Sequence, residues 1–233
     1  MNVETLIFAY LSICVSMILF NIACIFVFEA KDRQLQKRSR KMEHAVEEQF
    51  YQVEKGEPVS NSHKDYLSRK LRKISHLMAF DETMERLRQV NPDVTDTYLK
   101  EVCSVFIYLM ESYSKKSELK AAYFPYIIYK YGIMRNNSET SMNRQLLDMV
   151  RSQNLYCREN ALKALYSIGD VDAVMEALHI LDREEVYHNP KLLSDGLLLF
   201  AGRHSRLCEQ MWDKFDSFSV DMRVTLLNYT RLQ

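Results

Sequence analysis

Cys157-Arg158-Glu159-Asn160-Ala161-Leu162-Lys163-Ala164-Leu165-Tyr166-Ser167-Ile168-Gly169-Asp170-Val171-Asp172-Ala173-Val174 is the stretch whose reading decides the fold. Ala161, Leu162, Ala164, Leu165 and Ile168 cover a wider arc than one apolar stripe, the face of a helix buried on two sides. Gly169 closes that helix, because glycine just past a helix end can take the left-handed conformation that caps free carbonyls. Asp170 follows as the N-cap of the next helix. There Val174, Ala177, Leu178 and Leu181 fall at i, i+3, i+4 and i+7, a single apolar stripe. The unit is helix, glycine turn, helix.

The same ending recurs on both sides. Tyr126-Ile127-Ile128-Tyr129-Lys130-Tyr131 runs into Gly132, and Leu197-Leu198-Leu199-Phe200-Ala201 runs into Gly202, so three glycines stand 37 and 33 residues apart. A recurring helix-ending glycine at such spacing marks one supersecondary unit used repeatedly. Leu207, Met211, Trp212 and Phe215 repeat the stripe, and Asn91-Pro92 and Asn189-Pro190 place a capping residue before a first-turn proline. Only five Gly and four Pro, against abundant Leu, Met, Glu, Lys and Arg, favour helix throughout. The expected helices are 63–78, 80–89, 93–112, 115–131, 139–153, 157–168, 171–182, 190–201, 204–215 and 218–231. Pro125 should kink or split the fourth. Leu226, Leu227 and Leu232 are expected to leave apolar surface open at the last helix, unless further repeats follow Gln233.

The quoted stretch resembles the core of a HEAT repeat: an R-x-x-A-x-x-A-L helix, a Gly-Asp turn, then an A-V-x-x-A-L helix. The likeness is good over 139–182, fair over 183–231 and weak over 63–131. It implies a right-handed α-solenoid of HEAT-like helix pairs with a concave binding surface. The resemblance carries an architecture and no particular activity.

A different signal opens the chain. Leu6–Phe28 is apolar for 23 residues without a charge, and an α-helix of that length rises roughly 35 Å, enough for a ~30 Å hydrocarbon core. The run is longer than a secretory h-region and has no basic residue before it, which argues for a retained anchor. Asn21 and the apolar residues beyond Cys24 argue against reading Ile22-Ala23-Cys24 as a lipidation box. Lys31, Arg33, Lys37, Arg38, Arg40 and Lys41 follow, so by the positive-inside rule the N-terminus lies outside and the rest is cytoplasmic. The expected division is a transmembrane anchor at 1–28, a charged helical stalk at 29–58, divergent helical repeats at 63–131 and HEAT-like repeats at 139–233. A polar hinge is expected at Val59–His63.

Composition narrows the chemistry. The 31 basic and 31 acidic residues balance, which counts against nucleic acid as the main partner. Five scattered cysteines resemble free thiols rather than a disulfide framework. There is no phosphate loop, no dinucleotide fingerprint and no zinc-spaced Cys pair, so neither a catalytic residue nor a cofactor is assigned. His188 and His204, at the turns Tyr187-His188-Asn189 and Gly202-Arg203-His204, read as capping or solvated residues. Two groups remain as a candidate partner surface: a second basic patch at Lys64, Arg69, Lys70, Arg72 and Lys73, and the dense rings Tyr123, Tyr126 and Tyr129. The basic patch has three readings, a solvated face, a membrane-facing surface or a nucleic-acid contact.

Together these features predict a membrane-anchored scaffold or regulatory subunit whose partner is another membrane protein, a membrane glycosyltransferase or polysaccharide-export complex being one such assembly. An enzyme stays open as an alternative, because HEAT-like families include phycobilin lyases and DNA-alkylation-repeat glycosylases. So does a lipid or nucleic-acid surface binder.

Overall fold

The apolar run and the charged segment after it form one uninterrupted helix. In the computed structural model α1 runs from Val3 to Glu54 and ends at a turn where Gly56 takes φ +79°. Residues 3–135, 139–183 and 188–232 are described, without the side chains of residues 3–6 and Glu118; Tyr187 and Gln233, named above, lie outside. Among the described residues there are twelve α-helices, one 3-10 helix and no strand. After α1 come α2 (Asn61–Lys70), α3 (Ile74–Val90), α4 (Pro92–Glu101), α5 (Cys103–Ser114) and α6 (Glu118–Tyr131). Then follow α7 (Thr140–Val150), α8 (Leu155–Ile168), α9 (Val171–Arg183), α10 (Pro190–Leu197), α11 (His204–Asp213), the 3-10 turn Phe215–Ser217 and α12 (Val220–Thr230).

Helix starts follow the capping residues. The Asn91 and Asn189 side chains accept from Val94 N–H and Lys191 N–H with Pro at the first helical position, and Asp170 accepts from Ala173 N–H. Gly132 and Gly169 end α6 and α8 in the left-handed conformation. From α5 onward helices pack on the helix two places along, α5 on α7, α6 on α8, α7 on α9, α8 on α10, α9 on α11 and α10 on α12, and the neighbours α3–α4, α4–α5, α5–α6, α7–α8 and α8–α9 pack as well. One continuous apolar core runs from Met42 of α1 to Tyr229 of α12.

Five expectations change. The break expected near residue 79 falls at 71–73, and the helix expected over 93–112 divides at Val102. Pro125 does not split α6: it removes the donor for the Ala121 carbonyl, and one residue on the Ala122 carbonyl accepts from Asn160 of α8 at 3.0 Å. Gly202 does not cap α10, which ends at Leu197; it serves a backbone crossing with Gly169 instead. The polar hinge is tied down, since Val59 is buried and Ser60 N–H donates to Gln49 Oε1 at 2.9 Å.

The stalk, too, is part of the body. Ser39, Met42, Val46, Gln49 and Val53 form a buried stripe of α1 against α3 and α4. Small Ser39 lets the helices approach, with its hydroxyl 3.3 Å from Thr83 Oγ1, and Arg86 of α3 reaches Ser39 Oγ at 2.5 Å and Glu43 at 3.0 Å. From Ile7 to Phe28 the large apolar side chains stand exposed, Phe8 at 75%. This segment is long and apolar enough to cross a membrane, and none of its most apolar window is buried inside the protein. At the far end Leu226 is buried while Leu227 and Leu232 are exposed.

Candidate functional site

At 3.6 residues per turn, Arg33, Lys37, Arg40, Lys41 and His44 lie on the side of α1 opposite its buried stripe. All five are exposed and border one shallow groove. Arg38 is half-buried and turned toward α3. Burial, then the charges of Lys70, Arg38 and Lys73, lower the His76 pKa. Of the first basic cluster, Arg38 thus approaches the corner between α2 and α3, while the five exposed residues face away from it.

Arg69, Lys70, Arg72 and Lys73 are all exposed at that corner. It is held from beneath by α5: the Tyr113 hydroxyl donates to the Leu71 carbonyl at 2.6 Å, satisfying a group that the end of α2 leaves open. The Arg72 guanidinium donates to the Tyr108 hydroxyl and lies 5.1 Å from that ring's centroid. Lys64 belongs elsewhere. It sits in the first turn of α2, partly buried, 3.6 Å from Glu101.

The tyrosines occupy another place on the body. Phe124 and Tyr131 of α6 are buried, and Tyr123, Tyr126 and Tyr129 are half-buried along one side of that helix. Tyr123 is not a free ring for a partner, because its hydroxyl donates to Asp81 Oδ2 at 2.6 Å. Tyr131 shares its proton between Asp81 Oδ1 at 2.6 Å and the Asp81 carbonyl at 2.8 Å. Lys130 Nζ lies 2.8 Å from Asp81 and 2.9 Å from Glu85. Burial followed by these hydrogen bonds raises both tyrosine pKa values. For Lys130 burial acts to lower the pKa, but the bonds to Asp81 and Glu85 outweigh it and the ammonium is held charged. Tyr126 and Tyr129 keep accessible faces beside Lys130 and Lys163, at 5.7 and 5.9 Å. Among the described residues no hydrogen bond, ion pair or ring contact joins the basic corner to Tyr123, Tyr126 or Tyr129, so the expected partner surface is two separate places.

Next to Tyr129 a cavity of about 300 Å³ opens at the end of α6. Arg88, Leu99, Lys100, Cys103, Tyr129 and Arg135 contribute to its walls. Its floor includes Met134, the non-glycine residue at φ +73°, a conformation that costs energy for a side chain of this size. Arg88 is engaged with Asp96 at 3.2 Å, whereas Lys100 and Arg135 are exposed. Cations around a tyrosine ring suit a carboxylate or an aromatic group, which is a binding geometry. Sequence reasoning missed Arg88, Lys100 and Arg135 because they come from three segments with no shared period. The one local clue was Gly132, whose turn shapes the floor.

No family model, curated protein or solved structure matches this chain.

Proposed function

We propose that the protein is a membrane-anchored, cytoplasmic scaffold or regulatory subunit, a HEAT-like solenoid that binds another membrane protein. The carrying observation is that α1 is at once the exposed apolar helix and a core element of the body. A body fused rigidly to its anchor has its binding surfaces at a set height and rotation, and confinement to a thin layer raises the effective concentration toward membrane-bound partners. The basic residues after Phe28 support a cytoplasmic body. Packing of helices two places apart from α5 to α12 supports a two-layered stack, as does the glycine recurrence. Tyr126 and Tyr129, with the cavity beside them, are the assigned contact, since aromatic rings rimmed by cations favour interface hot spots.

Photo-crosslinking residues placed at Tyr126 and Tyr129 in intact membranes test this. The expected result is an adduct with a membrane-integral protein from both positions and none from Glu176, an exposed position on α9. Absence of any protein adduct, or labelling of Lys100→Cys by an impermeant thiol reagent applied outside intact cells, overturns the reading.

A further inference from the structure

We propose that the α2–α3 corner, Arg69-Lys70-Leu71-Arg72-Lys73 with Arg38 of α1, is a docking surface for the anionic phospholipid headgroups of the leaflet that α1 enters. The proposal rests on the reading above that α1 spans the membrane with the body on its basic side.

The path of the chain carries it. Ser60 is bonded to Gln49, so the chain begins α2 beside the distal part of α1. Farther on, Thr83 of α3 sits against Ser39, so the chain has come back toward Phe28 by about ten residues of α1, roughly 15 Å, and His76, one turn into α3, lies in the field of Arg38. Arg86 then sits against Glu43, so α3 heads away again. The corner at 71–73 is therefore the point at which this part of the body turns back from the membrane side. Along α1, Arg38 is about 15 Å beyond Phe28, roughly 8 Å past a headgroup layer of about 5–8 Å, a gap comparable with the reach of its side chain and with the ~8 Å Debye length.

Charge fits the same occupant. All four cations of the corner are exposed, while the nearby acids Glu29 and Glu111 are already paired with Arg33 and Lys115 at 3.2 and 2.7 Å. Asp32 and Asp65 are the remaining acids near these segments, against five cations named in the surface. A layer of anionic lipid presents a diffuse negative field to a cluster of exposed cations, and that is what the corner offers. The anchor supplies the proximity, and corner contact would fix the tilt of the body and so the height of Tyr126 and Tyr129.

The test uses the full-length protein in lipid nanodiscs, with hydrogen exchange of the segment 69–76 as the readout. One disc is wholly phosphatidylcholine and the other contains about 30 mol % phosphatidylserine, enough to mimic an anionic leaflet. Exchange in the segment is expected to slow at least about threefold in the anionic disc, and to return to the neutral-disc rate in about 0.5 M NaCl. The triple variant Lys70→Gln, Arg72→Gln, Lys73→Gln should lose the lipid response at an unchanged melting temperature. Equal exchange in both discs overturns the proposal while leaving the anchor intact. Protection that appears only on adding an acidic membrane protein also overturns it, in favour of that partner. Protein that washes off both discs at alkaline pH overturns the spanning reading and the docking surface together.

Discussion

Two residues without side chains hold the repeat-like units together. A Cβ on Gly202 would lie 2.4 Å from the Gly169 carbonyl oxygen and 2.5 Å from Phe200, and one on Gly169 would lie 2.8 Å from Gly202 N. Both backbones are fixed, Gly169 by its cap and the adjoining strip by Ala201 N–H donating to the Tyr166 carbonyl at 2.8 Å. Gly202→Ala should therefore destabilise the protein by about 2–3 kcal/mol, read as a lower urea midpoint at unchanged slope. An exposed glycine with nothing near its Cβ gives the control: Gly56→Asn, at φ +79°, should cost under about 1 kcal/mol. A second residue-scale effect is protonic. His63 is buried, its Nε2 lies 2.7 Å from the Tyr98 hydroxyl, and burial lowers its pKa from 6.5 to about 4. Between those values the unfolded chain binds a proton that the folded protein refuses. Stability from the neutral ring is thus complete above pH 6.5 and is lost as the pH falls toward 4, on the order of 2 kcal/mol after screening. His188, lowered to about 4 by burial and by Arg158, adds to the same slope. His63→Gln should lower the melting temperature at pH 7 yet flatten its decline between pH 6.5 and 4. An unchanged decline would mean that the ring already titrates normally.

Between elements, the strongest polar tie is the clasp of α6 on α3 through Asp81. Removing the carboxylate strands Lys130 with Glu85 alone, deprives the Tyr123 hydroxyl of its acceptor and leaves the Tyr131 hydroxyl only the Asp81 carbonyl. Asp81→Ala should cost about 3 kcal/mol, against about 1 kcal/mol for Tyr123→Phe. In a double-mutant cycle the pair should fall short of additivity, because each change removes the same bond. Denaturant melts measure all of it, and strict additivity would sink the clasp. Nothing in the sequence singled out Asp81, a lone acid among many on a helix, whereas Asn91, Asn189, Asp170, Gly132 and Gly169 announced helix ends because capping is a local interaction. The breaks at 71–73 and Val102 were illegible for the opposite reason. No breaker residue stands there, and the turn is held by a tertiary bond from Tyr113 and by burial of Val102. Basic residues at 69–73 could be found by composition, but only the return of the chain toward Arg38 gave that patch a direction. The tyrosines were legible as a group, and their split into a spent ring, Tyr123, and accessible ones was not, since it depends on where Asp81 lands.

For the whole molecule the decisive matter is where the exposed apolar run gives way to the packed body. Charge and period place that boundary at a stalk ending near residue 58, but the buried stripe of α1 places it at about residue 39. Met42, Val46 and Val53 are buried, and Phe50 packs on the core with its ring 5.0 Å from that of Tyr98. At about 1.5–3 kcal/mol for each such side chain, stripping α1 from α3 and α4 forfeits roughly 6–12 kcal/mol. That is comparable with the ~5–15 kcal/mol net stability of a typical domain. Removal of residues 1–28 discards no buried side chain among the described residues, so the chain 29–233 should stay soluble and helical and melt cooperatively. Removal of residues 1–58 uncovers the α3–α4 face and Tyr98, and the chain 59–233 should aggregate or lose its cooperative melt. Circular dichroism melts and gel filtration of the two truncations distinguish these outcomes. If 59–233 is monomeric and melts with 29–233, the distal half of α1 is a passive stalk, and the rigid coupling of anchor to body goes with it.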